Sequence, residues 1–401
     1  MSLYVSRPSS QVSRFYDYIE HFTQTRFWQL KLSLVLFGFV LLTTYPNYLD
    51  ILIDPAPRTT FSYFFDKVAS PLSPVTGVQE ITHGAKIAFR LTVPLLAKLM
   101  NIGFTATGKD LVLVFLLQSL LLFPFLLMLI RLLNRYMDSV STVLLVGACA
   151  STYIAKAFFW DYHCWFDGYA YFFLLGGMFF RPRWLVFTSL LLACWTDERA
   201  VIALGGIYLF HCLRERDFEL SSFKELLPQR PLFHTSAIVL LVGITYVLGR
   251  WSLGYFYGLN TPAGENVGVS LSLMPFQIKH RLIGLLFTFE GLWIVFALAI
   301  LVLREQRNRF LSNMFLLGMF LHALVAYSVY DISRSLAYAF PLVIIAAILF
   351  SKYYAHNKKQ IMMLVMLSCV LIPTHYVVYY IVQIPWTLLS FEEFSLIFKH
   401  F

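Results

Sequence analysis

Long apolar runs recur along most of this sequence, and they constrain the fold more than any other feature. Many reach about 18 residues or more, the length that an α-helix needs to cross the hydrocarbon of a bilayer. A transmembrane β-barrel would show short segments of alternating polarity instead, because its side chains face lipid and lumen in turn. The pattern predicts an all-α fold, a polytopic bundle of transmembrane helices.

The composition agrees with a membrane protein and argues against two other classes. Hydrophobic residues make up 59% of the chain and charged residues 13%, whereas soluble domains carry about 25% charged residues. The net charge of +9 could suggest nucleic acid, but the basic residues lie in short loops between apolar runs, so we expect no nucleic-acid partner. The five cysteines include no C-x-x-C pair, so they predict neither a zinc site nor a disulfide framework.

We predict about eleven spans, with a range of about nine to thirteen, in one transmembrane domain over residues 28–383. An amphipathic cytoplasmic segment, 1–27, precedes this domain, and an interfacial outer tail, 384–401, follows it. The predicted spans lie near residues 28–45, 111–131, 139–157, 168–180, 184–196, 200–213, 233–250, 283–303, 311–330, 335–355 and 361–383.

The basic residues predict the orientation of the bundle. With a cytoplasmic N-terminus, every short inner loop carries arginine or lysine, as the positive-inside rule expects. Two larger loops, 46–110 and 251–281, then lie outside. Within the first of them, residues 82–99 have an apolar face interrupted by Pro94, and we predict a helix at the membrane interface.

Acids occur in nearly every outer turn, and the positive-inside rule does not require them there. A solvated helix end explains any single one of them. Because several separate turns converge on one surface, we expect a shared functional site on the outer side. Glu290 is the only acid at the middle of a predicted span, which makes it a functional candidate unless a packed partner such as a tyrosine satisfies it.

Asp50 and Asp54 follow the first predicted span, in Tyr-Leu-Asp-Ile-Leu-Ile-Asp. A spacing of four places both carboxylates on one helical face. One could act as a general base while the other orients it. An ordinary polar helix end is the alternative.

Lys86 and Arg90 lie one turn apart beside an apolar run. This pair suits a lipid-linked phosphate, because the charges can meet the headgroup while the apolar face meets the chain. Basic side chains that snorkel to the interface are the alternative.

Two further turns combine acids with arginine. In Thr196-Asp197-Glu198-Arg199, we expect Asp197 to pair locally with Arg199, which leaves Glu198 and Arg199 as site candidates. In Asp331-Ile-Ser-Arg334, the charges are three apart and can pair at a helix start, where Asp331 is also a plausible N-cap. We expect Arg334 to face the outer cavity and to bind phosphate.

The turn over residues 160–167 mixes acids with aromatic rings. Aromatic belts at membrane interfaces explain the rings, and stacking on a sugar would use the same residues. Asp161, His163 and Asp167 are therefore candidates for substrate binding. Their spacing matches no strong metal motif, and we predict no metal site.

This layout resembles the GT-C class of integral membrane glycosyltransferases. The resemblance rests on about eleven spans, an acidic first outer loop with an interfacial helix, and three short segments, namely Phe89 to Leu96, Glu198-Arg199 and Asp331 to Pro341. It implies a sugar donor carried on polyprenyl phosphate, a carboxylate in the first outer loop that acts on the acceptor, and basic residues that hold the lipid phosphate. It also implies a bacterial cytoplasmic membrane with the site on the periplasmic face. The D-x-x-x-D spacing of Asp50 and Asp54 differs from the adjacent acids of that class.

The expected function is transfer of a sugar from a polyprenyl-phosphate-linked donor to a glycan or lipid-linked acceptor. Catalysis is assigned to Asp50, Asp54 or Glu198, and phosphate binding to Lys86, Arg90, Arg199 and Arg334. The partners are the bilayer, the lipid-linked sugar and the acceptor. No cofactor is required, because arginines can neutralise the phosphate, although a divalent cation could do so too. A transporter or flippase, and a polymerase or ligase of lipid-linked glycans, are the alternatives.

Overall fold

The computed structural model describes residues 10–45, 48, 59–74, 88–103, 108–161, 165–227, 234–259, 270–354, 357–377 and 381–384. Almost all regular structure in these residues is helical, which confirms the all-α prediction. The helices are α1 (Ser10–Gln24), α2 (Trp28–Thr43), α3 (Thr59–Ala69), α4 (Thr92–Leu99), α5 (Gly108–Leu133), α6 (Ser139–Ser151), α7 (Tyr153–Trp160), α8 (Asp167–Phe179), α9 (Arg183–Thr196), α10 (Ala200–Arg214), α11 (Phe223–Leu226), α12 (Thr235–Tyr257), α13 (Met274–Arg281), α14 (Ile283–Phe289), α15 (Leu292–Glu305), α16 (Arg309–Tyr327), α17 (Ile332–Ala337), α18 (Phe340–Tyr353) and α19 (Lys358–Leu371).

Three of these helices, α5, α12 and α16, are each long and apolar enough to cross a membrane. Three pairs pass the same test together but bend between their halves, by 118° for α1 and α2, 46° for α6 and α7, and 93° for α14 and α15. The described residues thus hold three candidate spans, or six if each pair counts as one, as expected of an integral membrane protein. The number of eleven stays a prediction.

The prediction of one span over 361–383 is wrong beyond Leu371. α19 ends there, and the chain turns into an antiparallel hairpin of β1 (His375–Val377) and β2 (Ile381–Gln383), with Tyr376 opposite Val382. Pro373 explains the stop, because proline lacks the amide hydrogen that a helix needs and disfavours helix at the residue before it. The hairpin packs on α14 and α17.

The predicted interfacial helix over 82–99 is shorter within the described residues. α4 begins only at Thr92, so Pro94 lies in its first turn rather than interrupting it. Proline is tolerated there because the first amide hydrogens of a helix have no partner within the helix. Arg90 therefore sits in the stretch that leads into α4.

Close packing of α8 on α9 brings their charged ends together. A Cβ on Gly177 would lie 2.1 Å from Leu190 Cδ2, and one on Gly176 would lie 2.5 Å from Ser189 Oγ. Small residues let two membrane helices approach in this way. At the other end of this pair, Arg199 contacts both Asp167, at the start of α8, and Asp197, which follows the end of α9.

The short helix α17 occupies the centre of the bundle together with α18. Every residue from Phe340 to Ser351 in α18 is buried, so this helix is apolar on all sides, as a central helix must be. All six residues of α17 are buried as well. This position carries Arg334 into the protein interior.

Candidate functional site: a buried ionic cluster

Charged residues from four separate parts of the chain meet at one end of the bundle. Arg90 comes from the stretch before α4, Asp167 from the start of α8, and Arg334 from α17. The turn between α9 and α10 adds three more. We call this set the ionic cluster, and its members are Arg90, Asp167, Asp197, Glu198, Arg199, Asp331 and Arg334.

Asp167 and Arg334 form the centre of the ionic cluster. Arg334 donates two hydrogen bonds to the carboxylate, at 2.6 Å from Nε and 3.1 Å from Nη2. The hydroxyls of Tyr153 and Tyr338 each donate to Asp167 at 3.2 Å. Both charged side chains are almost fully buried, with 0% and 1% exposed. Arg334 thus faces the protein interior and not an open outer cavity.

Asp197 and Arg199 make the local pair that their spacing predicts. Arg199 donates to the carboxylate of Asp197 from Nε at 2.8 Å and from Nη2 at 2.6 Å. Arg90 adds a third cationic contact to Asp197, at 3.1 Å. Burial alone would raise the pKa of Asp197, but the guanidinium groups of Arg199 and Arg90 lower it well below its usual range. Asp197 is therefore an ionised structural carboxylate.

Arg334 also pairs with Asp331, at 3.0 Å, as the three-residue spacing predicts. Asp331 occupies the N-cap position of α17, although its side chain makes no capping hydrogen bond. The ring of Trp165 lies 4.2 Å from the guanidinium carbon of Arg334. Trp165, an aromatic residue of the predicted turn, thus makes a cation–π contact with the guanidinium of Arg334.

Glu198 lies at the accessible edge of the ionic cluster. Its side chain is 39% exposed, and it pairs with Arg90 at 3.5 Å. Arg250 on α12 lies nearby, because its guanidinium carbon is 4.3 Å from the ring of Phe89 and it donates to the hydroxyl of Tyr246 at 3.0 Å. Of the described carboxylates in the ionic cluster, Glu198 has the greatest exposure and the weakest ion pair.

Asp161 shapes the turn beneath the ionic cluster. Its carboxylate accepts hydrogen bonds from the backbone amides of Trp165, at 3.1 Å, and of Asp167, at 3.0 Å. Burial, followed by the negative charge of Asp167, raises the pKa of Asp161 to about 6. Asp161 therefore positions the start of α8 and takes up a proton more readily than an ordinary aspartate.

The structure brings together six of the predicted site residues, namely Arg90, Asp161, Asp167, Glu198, Arg199 and Arg334. The other four, Asp50, Asp54, Lys86 and His163, lie outside the described residues. Within the described part of the chain, no group of three or more His, Cys, Asp or Glu side chains could hold a metal ion. The roles predicted for these residues stay predictions.

Sequence reasoning missed the residues that complete the ionic cluster from a distance. Tyr153 and Tyr338 bind Asp167, and Ser335 accepts from Arg199 at 3.0 Å. Lys156 was missed as well, although a lysine inside an apolar run is a visible signal. The tyrosines gave no such signal, because aromatic residues are common throughout the chain.

An apolar groove of about 530 Å³ runs between α10 and α12 towards this edge. Its lining includes Val201, Leu204 and Leu248. Val201 is two residues after Arg199, and Leu248 is two residues before Arg250. The groove therefore leads from the apolar side of the bundle to charged groups beside Glu198.

A second cavity, of about 600 Å³, lies at the opposite end of the bundle, between the loops after α10 and α15. It is lined by Glu219, Glu225, Arg307 and Arg309, among others. Its arginines belong to the basic loops that set orientation. We therefore place the candidate site at the ionic cluster.

The charge balance limits what the ionic cluster can bind. Three arginines face four carboxylates, so its formal charge is 3 − 4 = −1. Arg199 and Arg334 already hold bidentate carboxylates. An incoming phosphate would therefore meet Arg90 and Arg250 first, next to a carboxylate that can accept a proton.

Comparison with protein-family models, with curated proteins and with solved structures finds no match to this chain. The functional argument therefore rests on the geometry of the ionic cluster and its groove.

Proposed function

We propose that this protein is a membrane glycosyltransferase that moves a sugar from a polyprenyl-phosphate-linked donor to a glycan or lipid-linked acceptor at the non-cytoplasmic face. The observation that carries the proposal is Glu198, a partly exposed carboxylate beside Arg90, at the end of an apolar groove. Glycosyl transfer needs this combination, because a base must take the acceptor proton and cations must neutralise the leaving phosphate.

In the proposed reaction, the acceptor oxygen forms a bond to the anomeric carbon while the bond from that carbon to the phosphate oxygen breaks. Glu198 takes the proton of the acceptor hydroxyl. Arg90 and Arg250 balance the charge that develops on the phosphate, and the polyprenyl chain lies between α10 and α12. Asp167, Asp197, Arg199 and Arg334 hold the surrounding elements in place. Asp50 and Asp54 are the alternative bases, as the resemblance implies.

The proposal is tested by label transfer from a panel of polyprenyl-phosphate-linked sugars, with the full chain in lipid nanodiscs and a membrane extract as the acceptor. Glu198→Gln should lose about a hundredfold or more in rate, because it removes the general base. Glu219→Gln, at an exposed carboxylate of the opposite end, is the matched control and should keep its rate.

Parallel assays of Asp50→Asn and Asp54→Asn decide between the candidate bases. A full rate for Glu198→Gln with loss in either aspartate variant would move the base to the first outer loop. The absence of label transfer from every donor by the folded wild-type chain would overturn the proposed function.

A transporter or flippase is the second candidate, and the observation that favours it is the pair of bent helices α6–α7 and α14–α15. Broken helices form the binding sites of many transporters. Reconstituted vesicles separate the two functions, since a flippase moves a fluorescent polyprenyl phosphate across the bilayer without any sugar acceptor.

A further inference from the structure

A second polar cluster lies inside the bundle, away from the ionic cluster. Its members are Lys156 on α7, Glu290 between α14 and α15, and Thr374 after α19, and we call it the deep polar site. Lys156 and Glu290 are each 1% exposed, and Thr374 is fully buried. Since α15 has 14 residues, Glu290 lies about 21 Å from the basic end of that helix. Ionisable groups at such depth are costly and are commonly functional.

Both charged residues lie at or near a break in a helix. The bend of 46° between α6 and α7 occurs one turn before Lys156, and the bend of 93° between α14 and α15 occurs at Glu290 itself. Glu290 has φ 49° and ψ −123°, a conformation that is strained for a residue with a side chain. The bend packs closely against α19 at Gly291, because a Cβ added to this glycine would lie 2.5 Å from Val365 O. Packing thus holds Glu290 in a strained position.

The hydrogen bonds of the deep polar site leave Glu290 unsatisfied. Lys156 Nζ donates to the hydroxyl of Thr374 at 3.0 Å, and that hydroxyl donates to Ser151 O at 2.5 Å. The only hydroxyl proton of Thr374 is therefore used. Neither carboxylate oxygen of Glu290 has a hydrogen-bond partner within the described part of the chain. A buried carboxylate in this condition is unstable unless a cation or a proton joins it.

The ammonium of Lys156 determines whether a metal cation or a proton can join the carboxylate of Glu290. Its ammonium is close enough to Glu290 to interact with it electrostatically. A metal ion beside the carboxylate would be repelled by the ammonium of Lys156. A proton on Glu290 leaves a neutral acid beside the ammonium of Lys156, which keeps its hydrogen bond to Thr374.

We propose that Glu290 binds and releases a proton inside the bundle, with Lys156 as the positive charge that the deprotonated carboxylate faces. Protonation removes the attraction between α7 and the bend at Glu290, so the occupancy of the proton is linked to the packing of the two broken helices. This inference goes beyond glycosyl transfer and does not depend on it.

The other titratable groups around the deep polar site are His375, Cys149 and Cys369. His375 follows Thr374, stacks on Phe287 at 4.1 Å, and has a buried Nδ1 without a partner among the described residues. Its ring is only half-buried. His375, the one imidazole of this set, is therefore the titratable group of the set that is partly open to solvent.

Infrared spectroscopy of the full chain in lipid nanodiscs tests the proposal over a series of pH values. The wild type should show a C=O absorption from a protonated carboxyl shielded from water, and it should disappear as the pH rises. Glu290→Gln should lose this band. Glu305→Gln changes an exposed acid at the end of α15 and should keep it.

Identical carboxyl bands in wild type and Glu290→Gln over the whole series would overturn the proposal. Lys156→Met supplies an independent test if Glu290→Gln does not fold. Without the ammonium, the carboxylate of Glu290 loses its attraction and its band should persist to higher pH. A band whose pH dependence is unchanged in Lys156→Met would overturn the role of Lys156.

Discussion

At the level of single residues, the charged side chains of the ionic cluster differ in how deeply they are buried. Arg334 and Asp167 are buried and hydrogen-bonded to each other, whereas Glu198 is 39% exposed and its ionic contact with Arg90 is 3.5 Å long. Enclosed ion pairs hold elements together, because removing one partner leaves the other charge buried. Accessible groups remain able to meet a substrate. Arg90 is 9% exposed but contacts Glu198 at the accessible edge, so the predicted phosphate-binding role suits it better than Arg334, which is 1% exposed.

Arg334→Met should destabilise the protein by about 3–5 kcal/mol, because buried Asp167 would keep only the 3.8 Å contact with Arg199 as an ionic partner. Adding Asp167→Asn should recover much of the stability, since both charges are then gone. Thermal unfolding of the two variants in nanodiscs measures this recovery. Unchanged stability of Arg334→Met, with weaker binding of polyprenyl phosphate, would instead assign Arg334 to the phosphate.

Asp161 predicts a specific pH dependence of stability. Burial raises its pKa from 3.8 to about 6, so the folded chain holds this proton more tightly than the unfolded chain. The stability that protonated Asp161 contributes is fully present below pH 3.8 and is lost as the pH rises to about 6.

Asp161→Asn should therefore differ from the wild type in the slope of stability against pH. The advantage of the wild type should shrink over this interval, by at most about 1.4 kcal/mol for each pH unit. Melting temperatures of both proteins across the interval provide the measurement. A difference that does not vary with pH would contradict the prediction.

At the level of helices and turns, helix ends and glycines determine where the chemistry lies. Gly176 and Gly177 permit the close approach of α8 to α9, and the opposite end of this helix pair carries Asp167 and Asp197. By contrast, a Cβ added to Gly205 on α10 would have no atom within 4 Å, and this glycine borders the apolar groove. Glycine thus permits contact in one helix pair and leaves space in the other.

Gly205→Phe should fill the groove and weaken the binding of polyprenyl phosphate by about tenfold, equal to about 1.4 kcal/mol. Stability should hold, because the position is open and phenylalanine favours helix over glycine. Native mass spectrometry with polyprenyl phosphate measures the affinity. Gly38→Phe on α2, where the position is equally open, is the matched control. Equal affinity in Gly205→Phe and wild type would exclude the groove as the site of the polyprenyl chain.

Across the whole molecule, the basic loops gather at the end opposite the ionic cluster. Lys358 pairs with Asp138 at 2.7 Å, Tyr353 donates to Phe218 O at 2.9 Å, and Asn308 donates to Leu220 O at 2.7 Å. These contacts join loops that the positive-inside rule assigns to the cytoplasm. If these loops are cytoplasmic, the ionic cluster lies on the outer side, and this orientation stays a prediction.

Reporter fusions test this orientation. Fusions after residues 135, 216, 307 and 358 should report the cytoplasm, and fusions near 165, 260 and 331 should report the outside, because each inner loop is basic. The fusion after residue 307 is the most informative, since this position lies in the chain between the two halves of the ionic cluster. An external signal there would separate Asp331 and Arg334 from the outer turns.

The helices and the contacts within a few residues could be predicted from the amino-acid sequence alone. In the hydrocarbon of a bilayer, the backbone amide and carbonyl groups of a long apolar run can hydrogen-bond only to each other. The all-α structure follows from this requirement. The pairs Asp197–Arg199 and Asp331–Arg334 follow equally, because their spacing allows contact within one turn.

Which charges are buried together could be learned only from how the helices pack. Arg334 and Asp167 are 167 positions apart, and their bond depends on how α8 packs against α9 and how α17 packs against α7. The hairpin after Leu371 depends on packing in the same way, as does the carboxylate of Glu290, which has no hydrogen-bond partner among the described residues. Local sequence specifies periodicity and helix ends, whereas burial and ion pairing depend on neighbours that the chain brings from a distance.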